Sequence, residues 1–182
     1  MKTLILVAIE DELKREDLPS HQIEYIGIGK VNAAINTLSS IQKHNPNRII
    51  NFGTAGSLNT NINGLVEVSS FFQHDMDVSP LGFEVGQTPF ENCLEITFGR
   101  DGVTCGTGDK FVTNTPSLKT DIVDMEAFAI AKVCKLKNIN FRCFKFISDN
   151  ADDDAANDWV QKLELGARLF SEEVLTNFSH FG

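Results

Sequence analysis

The sequence predicts an α/β protein in which helices flank a central mixed, twisted β-sheet, and in which residues 1–182 form a single domain. The first observation behind this prediction is an alternation of short apolar runs with segments whose apolar residues recur at helical spacing. The second is the lack of internal repeats and low-complexity linkers in the sequence. The third is a composition of 42% hydrophobic and 23% charged residues, which is typical of one globular domain.

The first half of the chain is predicted to contain four strands and one helix. A continuous apolar run at 4–9 indicates a strand covered on both faces, and a shorter strand at 24–28 is bounded by glycines. Further extended runs lie at 48–52 and 65–72. The helix before Pro46 is indicated by apolar residues at helical spacing, namely Val31, Ala34, Ile35, Leu38 and Ile41.

The second half is predicted to add shorter strands and two helices. A loop rich in Pro and Gly at 74–90 comes first, and the segments 95–98 and 102–105 are expected to pair around a turn. The remaining predictions are an extended segment at 122–125, a helix at 126–137, a strand at 141–147 and a last helix from about 154 to 178. That helix has an apolar stripe formed by Trp159, Leu163, Ala167, Phe170, Val174 and Phe178.

Charge and cysteine content exclude several classes of partner. The net charge of −9 disfavours nucleic acid and anionic membranes, because both attract clustered Lys and Arg. The four cysteines lack the spacing of zinc ligands, so we expect no metal and no cofactor, and reduced thiols are typical of the cytoplasm. The run at 4–9 precedes three acidic residues and is expected to be a buried strand, not a secretion signal. No apolar run approaches the roughly 20 residues of a membrane helix.

Polar or Gly-rich segments follow the predicted strands at five places, and three of them deliver a carboxylate: Glu12, Glu126 and Asp149. Ligands of α/β proteins collect beyond strand ends, so these side chains predict acid–base chemistry on an uncharged substrate. The turn at 27–30 lacks the spacing of either nucleotide-binding loop. The residues from Gly53 to Gly56 fit either a ligand-contacting loop or a plain turn. The acidic run at 149–154 lacks the glycine of a calcium loop.

Eight short segments, in one order along nearly the whole chain, carry a resemblance to a known family. They are AIEDE (8–12), GIGKV (27–31), NFGTAG (51–56), HDMDV (74–78), GFEVGQTP (82–89), GDKF (108–111), DMEA (124–127) and ISDNAD (147–152). Together they resemble the 5′-methylthioadenosine/S-adenosylhomocysteine nucleosidases of the purine nucleoside phosphorylase superfamily. The resemblance implies hydrolysis of an N-glycosidic bond, release of adenine and a 5′-thioribose, and a role in methionine salvage.

The resemblance also implies a role for each matching residue. Glu12 would activate the attacking water, and Asp149 would protonate the purine as it leaves. This division agrees with glycoside cleavage in general, where an acid assists the leaving group and a carboxylate serves the water. The implied substrate-binding residues surround the base, the ribose and the water, and they are Thr54, Ala55, Gly56, Phe111, Val112, Met125, Glu126 and Ser148.

This sequence departs from the family pattern at several points. It is shorter between Glu12 and the strand at 24–28, and again between Pro89 and Gly106. Lys145 stands where the family tends to have Arg, and Thr54 stands where it usually has Ser. The family completes its pocket with loop residues of a second subunit, and the match at 74–90 therefore implies a homodimer.

Three alternative functions stay open. Another purine nucleosidase, such as a futalosine hydrolase, would use the same carboxylates. A nucleoside phosphorylase would need a phosphate pocket, whereas the acidic residues at 10–12 would repel phosphate. A nucleoside-binding protein without turnover is consistent with the shortened chain, but binding alone does not require a carboxylate at the water position.

Overall fold

The strands and helices are described here for residues 2–91, 93–114, 116–151 and 155–175 of a computed structural model. Within these residues the chain forms eight strands and three α-helices. In chain order they are β1 (Thr3–Val7), β2 (Gln22–Tyr25), α1 (Lys30–His44), β3 (Arg48–Ser57), β4 (Leu65–Gln73), β5 (Ile96–Thr97), β6 (Val103–Thr107), β7 (Ile122–Asp124), α2 (Ala127–Leu136), β8 (Asn140–Asp149) and α3 (Ala155–Leu169), which continues as a π-helical turn over Phe170–Leu175.

The strands form one mixed sheet that closes on itself. β1 lies between β2 and β3, and all three run parallel. β3 is also parallel to β8, which pairs antiparallel with β4, and β4 is parallel to β6. β6 is parallel to β7, which returns to the end of β3 in the antiparallel direction. The predicted mixed sheet is confirmed, and its closure through the three-residue β7 was not anticipated.

Helices cover the sheet on two sides, as predicted. α1 and α2 pack against each other and against one apolar cluster, which includes Ile49, Phe71 and Ile130. α3 covers a second cluster, where the Phe170 ring stacks on Phe52 with ring centroids 4.4 Å apart. None of the helices in the described part of the chain has the length and apolar character that a membrane crossing requires.

The predicted pairing of 95–98 with 102–105 is wrong. β4 lies between β5 and β6 and pairs with both of them. The turn lies close against the sheet: the Arg100 guanidinium donates to the carbonyl of Phe141 at 2.7 Å, and a Cβ atom at Gly102 would lie only 2.5 Å from the carbonyl oxygen of Glu67. The connection therefore passes over the strand instead of folding back as a hairpin.

Two further segments differ from the expected boundaries: β2 spans Gln22–Tyr25 where 24–28 was expected, and β3 is longer than expected. The strand expected to end at residue 52 continues to Ser57, because β8 pairs with it through the glycine-containing segment. In the last helix, Phe170 is buried as the stripe predicts. Phe178, a further predicted member of that stripe, lies outside the described residues. The side chains of two others, Trp159 and Val174, are not among those described.

Candidate active site

A cavity of about 270 Å³ lies where the carboxyl-terminal ends of β1, β3 and β8 meet the end of β7. All ten residues predicted for the site line it: Glu12, Thr54, Ala55, Gly56, Phe111, Val112, Met125, Glu126, Ser148 and Asp149. Six residues without an assigned role complete the lining: Ala8, Ile9, Ile28, Lys110, Val123 and Asp124. The sheet thus brings the three carboxylates of the sequence analysis into one cavity.

Glu12 lies in a short 3₁₀ turn directly after β1 and is buried, with 6% of its surface exposed. Its Oε1 accepts hydrogen bonds from the backbone N–H of Thr54 at 2.8 Å and from the Thr54 hydroxyl at 2.7 Å. Its buried Oε2 has no hydrogen-bond partner among the described residues. One oxygen is therefore anchored on β3, while the other is free to accept a proton or a hydrogen bond from a bound molecule.

A buried ion pair lies under the cavity. Lys145 Nζ is 2.8 Å from Asp124 Oδ2, and both side chains are at most 2% exposed. Burial alone would lower the pKa of the Lys145 ammonium, but the negative charge of Asp124 raises it above its ordinary value. Burial would raise the pKa of Asp124, but Lys145 holds it below the ordinary value. Lys145 therefore stays charged, and its Nζ lies 3.1 Å from where a side chain at Gly53 would begin.

Asp124 also fixes the start of α2. Its Oδ2 accepts hydrogen bonds from the backbone N–H of Ala127 at 2.8 Å and of Glu126 at 3.3 Å. Its Oδ1 accepts one from the Thr107 hydroxyl at 2.6 Å. A carboxylate at the start of a helix can accept hydrogen bonds from the first backbone N–H groups, which have no partner within the helix. Asp124 thereby sets the position of Glu126 in the cavity.

Glu126 is buried at the edge of the cavity, where its Oε1 accepts a hydrogen bond of 2.8 Å from the backbone N–H of Gly29. Burial, with the nearby charge of Asp124 as a further cause, raises the pKa of Glu126 to about 8. The raised pKa favours the protonated form of this carboxyl near neutral pH. A neutral carboxyl donates one hydrogen bond and accepts others, which suits a pair of hydroxyl groups.

Asp149 ends β8 and is 5% exposed. Its Oδ2 accepts a hydrogen bond of 2.7 Å from the Ser148 hydroxyl, and its Oδ1 accepts one of 2.9 Å from the backbone N–H of Ala151. The β3–β8 register shifts between Ala55 and Gly56, so that Gly56 pairs with Asp149 where both line the cavity. A side chain at Gly56 would begin 2.7 Å from Asp149 Oδ1, so glycine is needed there for close approach.

The segment from Gly53 to Gly56 is neither a plain turn nor a loop. It continues β3, and its glycines leave space for buried polar groups: Glu12 and Lys145 beside Gly53, and Asp149 beside Gly56. The turn at 27–30 joins β2 to α1, and Gly27 and Gly29 have positive φ angles of 79° and 88°. Its backbone N–H groups bind carboxylates of the protein itself.

The sequence analysis assigned no role to two important residues, Lys145 and Asp124. Lys145 was noted only as a departure from a family pattern, and Asp124 only as the start of a motif. A lysine between two phenylalanines in an apolar strand is itself a signal, because a buried ammonium needs a buried acidic partner. The partner on β7, however, cannot be identified before the strand order is known.

Comparison with known proteins agrees with this fold. The family model described as the phosphorylase superfamily matches residues 20–177. The 5′-methylthioadenosine/S-adenosylhomocysteine nucleosidase of Haemophilus ducreyi is 33% identical over 182 aligned residues, covering 85% of this chain and 78% of that protein. The nucleosidase of the same name from Glaesserella parasuis is 33% identical over 184 residues, with 85% and 79% covered.

Solved structures show the same fold at lower identity. The Helicobacter pylori 5′-methylthioadenosine/S-adenosylhomocysteine nucleosidase has a TM-score of 0.83 and 24% identity, with 92% of this chain and 93% of that chain covered. The futalosine hydrolase of Helicobacter pylori has a TM-score of 0.84 and 22% identity, with 92% and 93% covered.

The fold and the superfamily match define the class: the chain is a member of the phosphorylase superfamily. The two curated relatives above are named nucleosidases, and their similarity to this chain extends over more than three quarters of their length. The chain belongs to the 5′-methylthioadenosine/S-adenosylhomocysteine nucleosidase family and is an N-glycosyl hydrolase.

Proposed function

We propose that the protein hydrolyses the N-glycosidic bond of 5′-methylthioadenosine and S-adenosylhomocysteine, releasing adenine and a 5′-thio-substituted ribose. The observation that carries the proposal is the pair of buried carboxylates in one cavity. Glu12 has one oxygen anchored on β3 and one oxygen without a partner in the described part of the chain. Asp149 ends β8, the strand that pairs with β3. The family's named activity gives the substrate class.

The two carboxylates divide the reaction between them. As the bond from C1′ to N9 breaks, positive charge develops on the sugar, and adenine leaves more readily when N7 is protonated. Asp149 delivers that proton, directly or from a bound water, and the Ser148 hydroxyl orients its carboxyl group. Water then adds to C1′, and Glu12 accepts the proton that this water loses. Glu12 then loses its proton to solvent and Asp149 regains one, so the sum is one nucleoside and one water consumed, and one adenine and one 5′-thio-substituted ribose released.

The remaining cavity residues bind the nucleoside. Glu126 accepts hydrogen bonds from the ribose hydroxyls, and the developing positive charge on the sugar favours its ionised form despite the raised pKa. Phe111 provides an apolar face for the purine, and the Val112 backbone pairs with its edge. Met125 packs against the ribose, while Thr54, Ala55 and Gly56 line the sugar and the water position.

Hydrolysis is favoured over phosphorolysis by the charges at the water position. Phosphate would meet the Glu12 carboxylate there, and the nearby Lys145 ammonium is already paired with Asp124. Futalosine hydrolysis is the second candidate, because a futalosine hydrolase matches this fold with a TM-score of 0.84, as well as the nucleosidase does. The residues around the base and the ribose do not distinguish these two substrates.

A homodimer is part of this proposal. The first two turns of α1 expose Val31 and Ile35 by 68% and 59%, and the loop after β4 exposes Leu81 and Phe90 by 74% and 95%. Large apolar side chains at this exposure favour burial against another surface. A second copy of the chain is the proposed partner, with the 74–90 loop reaching the pocket of its neighbour.

A cytoplasmic location with a role in methionine salvage completes the proposal. Cys93, Cys105, Cys134 and Cys143 are free thiols, and burial raises the pKa of the Cys105, Cys134 and Cys143 thiols. Unpaired thiols are typical of a reducing compartment.

The test is adenine release by the purified protein from 5′-methylthioadenosine and from S-adenosylhomocysteine, with and without phosphate. Futalosine serves as the competing substrate in a parallel assay. The proposal expects release that does not depend on phosphate and that is faster for the thio-substituted adenosines. Phosphate-dependent release would indicate a phosphorylase, a preference for futalosine would indicate the second candidate, and binding without release would indicate a nucleoside-binding protein.

A further inference from the structure

The loop 108–112 after β6 delivers Phe111 and Val112 to the cavity, although Phe111 is 45% exposed. The first residues of this loop, Gly108 and Asp109, lie close to two other segments. These segments are the glycine turn before α1 and the His74–Asp75 pair after β4. The proposed function gives their charged residues no role.

Lys30, Asp75 and Asp109 form a closed set of contacts, which we call the loop clamp. Asp109 Oδ1 accepts a hydrogen bond of 2.7 Å from the backbone N–H of Lys30. The Asp109 backbone N–H donates to Asp75 Oδ2 at 2.8 Å, and Asp75 Oδ1 forms an ion pair with Lys30 Nζ. Each residue therefore contacts the other two, and two of the links use backbone groups that cannot rotate away.

The surrounding glycines are consistent with a fixed arrangement. A side chain at Gly29 would begin 3.0 Å from Asp109 Oδ1, and one at Gly108 would begin 2.5 Å from His74 Nε2. Gly108 also donates its backbone N–H to the carbonyl of Asp124 at 3.1 Å. The backbone at Gly29 and Gly108 therefore packs closely against the Asp109 and His74 side chains, which restricts movement at the start of the loop.

The start of α1 connects this clamp to the ribose site. The N–H of Gly29 donates to Glu126, and the next N–H, that of Lys30, donates to Asp109. Helix N-termini favour negative charge because their first N–H groups have no partner within the helix. Two consecutive N–H groups thus hold one carboxyl of the ribose site and one of the base loop.

We propose that Lys30, Asp75 and Asp109 are positioning residues that hold loop 108–112 at a set distance from Glu126, so that Phe111 and Val112 meet the purine of a bound nucleoside. This inference rests on the proposed function for the identity of the ligand. Loss of the clamp weakens binding of the base and leaves binding of the sugar intact.

The test compares Asp109→Ala with Asp109→Asn and with Asp101→Ala, an exposed carboxylate at the opposite end of β6. Inhibition of adenine release is measured with adenine alone and with 5-methylthioribose alone. Asp109→Ala is expected to weaken inhibition by adenine at least about fivefold, the scale of a lost base–aromatic contact. Inhibition by 5-methylthioribose stays unchanged. Asp109→Asn keeps an oxygen for the Lys30 N–H and is expected to recover most of the loss.

Equal weakening of both inhibitors would indicate general damage to the fold and would overturn the inference, as would no weakening of either. Thermal unfolding of each variant identifies those that have lost their structure. With the nucleoside as substrate, Asp109→Ala is expected to raise KM without a matching fall in kcat.

A second measurement does not depend on activity. Amide hydrogen exchange in the 108–112 loop is compared between the unaltered protein, Asp75→Ala and Asp101→Ala, because Asp75 accepts the N–H of Asp109. Faster exchange in Asp75→Ala alone supports the clamp, and equal exchange in all three overturns it. If no nucleoside is cleaved although Asp75→Ala exchanges faster, the proposed function fails while the clamp stands.

Discussion

At the scale of single residues, the site depends on polar groups that are buried with specific partners. Glu12, Glu126 and Asp149 are each less than a tenth exposed, and each accepts a hydrogen bond from a backbone N–H. Such contacts fix a carboxyl group more firmly than side-chain pairs at the surface do. The burial that fixes them also changes how they titrate.

Glu126 is expected to make stability depend on pH. Burial in the folded protein raises the pKa of its carboxyl to about 8, from 4.5 for an ordinary glutamate. Between these values the folded state binds more protons than the unfolded state, so the free energy of unfolding falls as pH rises. Glu126→Gln removes this effect. Its Tm relative to the unaltered protein should therefore rise between pH 5 and pH 9, whereas Glu95→Gln, at an exposed position, should show no such trend.

Gly56→Ala tests the close approach of β3 to Asp149. A methyl group there would begin 2.7 Å from Asp149 Oδ1 and would displace the carboxyl from its position. A displacement of about 1 Å can reduce kcat by about 100-fold. Gly102→Ala is the control, because it crowds the Glu67 carbonyl far from the cavity. Both variants should be destabilised, by about 1–3 kcal/mol, but only Gly56→Ala should reduce kcat; a fall in both would contradict the account.

At the scale of elements, the buried Lys145–Asp124 pair joins β8 to the end of β7 and the start of α2. Lys145→Met leaves the Asp124 charge buried without its partner, which typically costs about 3–5 kcal/mol. Lys132→Met breaks a more exposed pair with Glu91 and should cost about 1 kcal/mol or less. Urea unfolding measures both values. Equal losses for the two variants would contradict the proposed importance of the buried pair.

Many of the strands and helices could be predicted from the local sequence pattern. The apolar runs and the helical spacing predicted β1, α1, β4, α2 and β8, because each signal lies within one segment. The β5–β6 pairing was predicted wrongly, since adjacency in sequence does not reveal that β4 lies between the strands. Likewise, the loop clamp joins residues up to 79 positions apart, so no local pattern indicates it.

At the scale of the whole molecule, the sheet closure brings all ten predicted site residues to one cavity. The family resemblance implied the set, but the closure through β7 and the shift in the β3–β8 register determine their geometry. The organisation of residues 1–182 as a single domain stays a prediction.

Association is the property tested at this scale. Ile35→Glu places a charge on the exposed apolar part of α1, which should disfavour burial of that surface against a second copy. Light scattering should show a dimer for the unaltered protein and a larger monomer fraction for this variant. Leu136→Glu, at an exposed position on α2, should remain a dimer. A monomer in the unaltered protein would contradict the homodimer proposal.

The central claim is that Glu12 and Asp149 carry out the two proton transfers of a hydrolysis. The most direct measurement is the rate of adenine release from saturating 5′-methylthioadenosine, without phosphate, for the unaltered protein, Glu12→Gln, Asp149→Asn and the exposed neighbour control Asp11→Asn. The account predicts that Glu12→Gln and Asp149→Asn each lose about 10²–10⁴-fold in rate while Asp11→Asn stays active. Release at an unchanged rate by either Glu12→Gln or Asp149→Asn would contradict it.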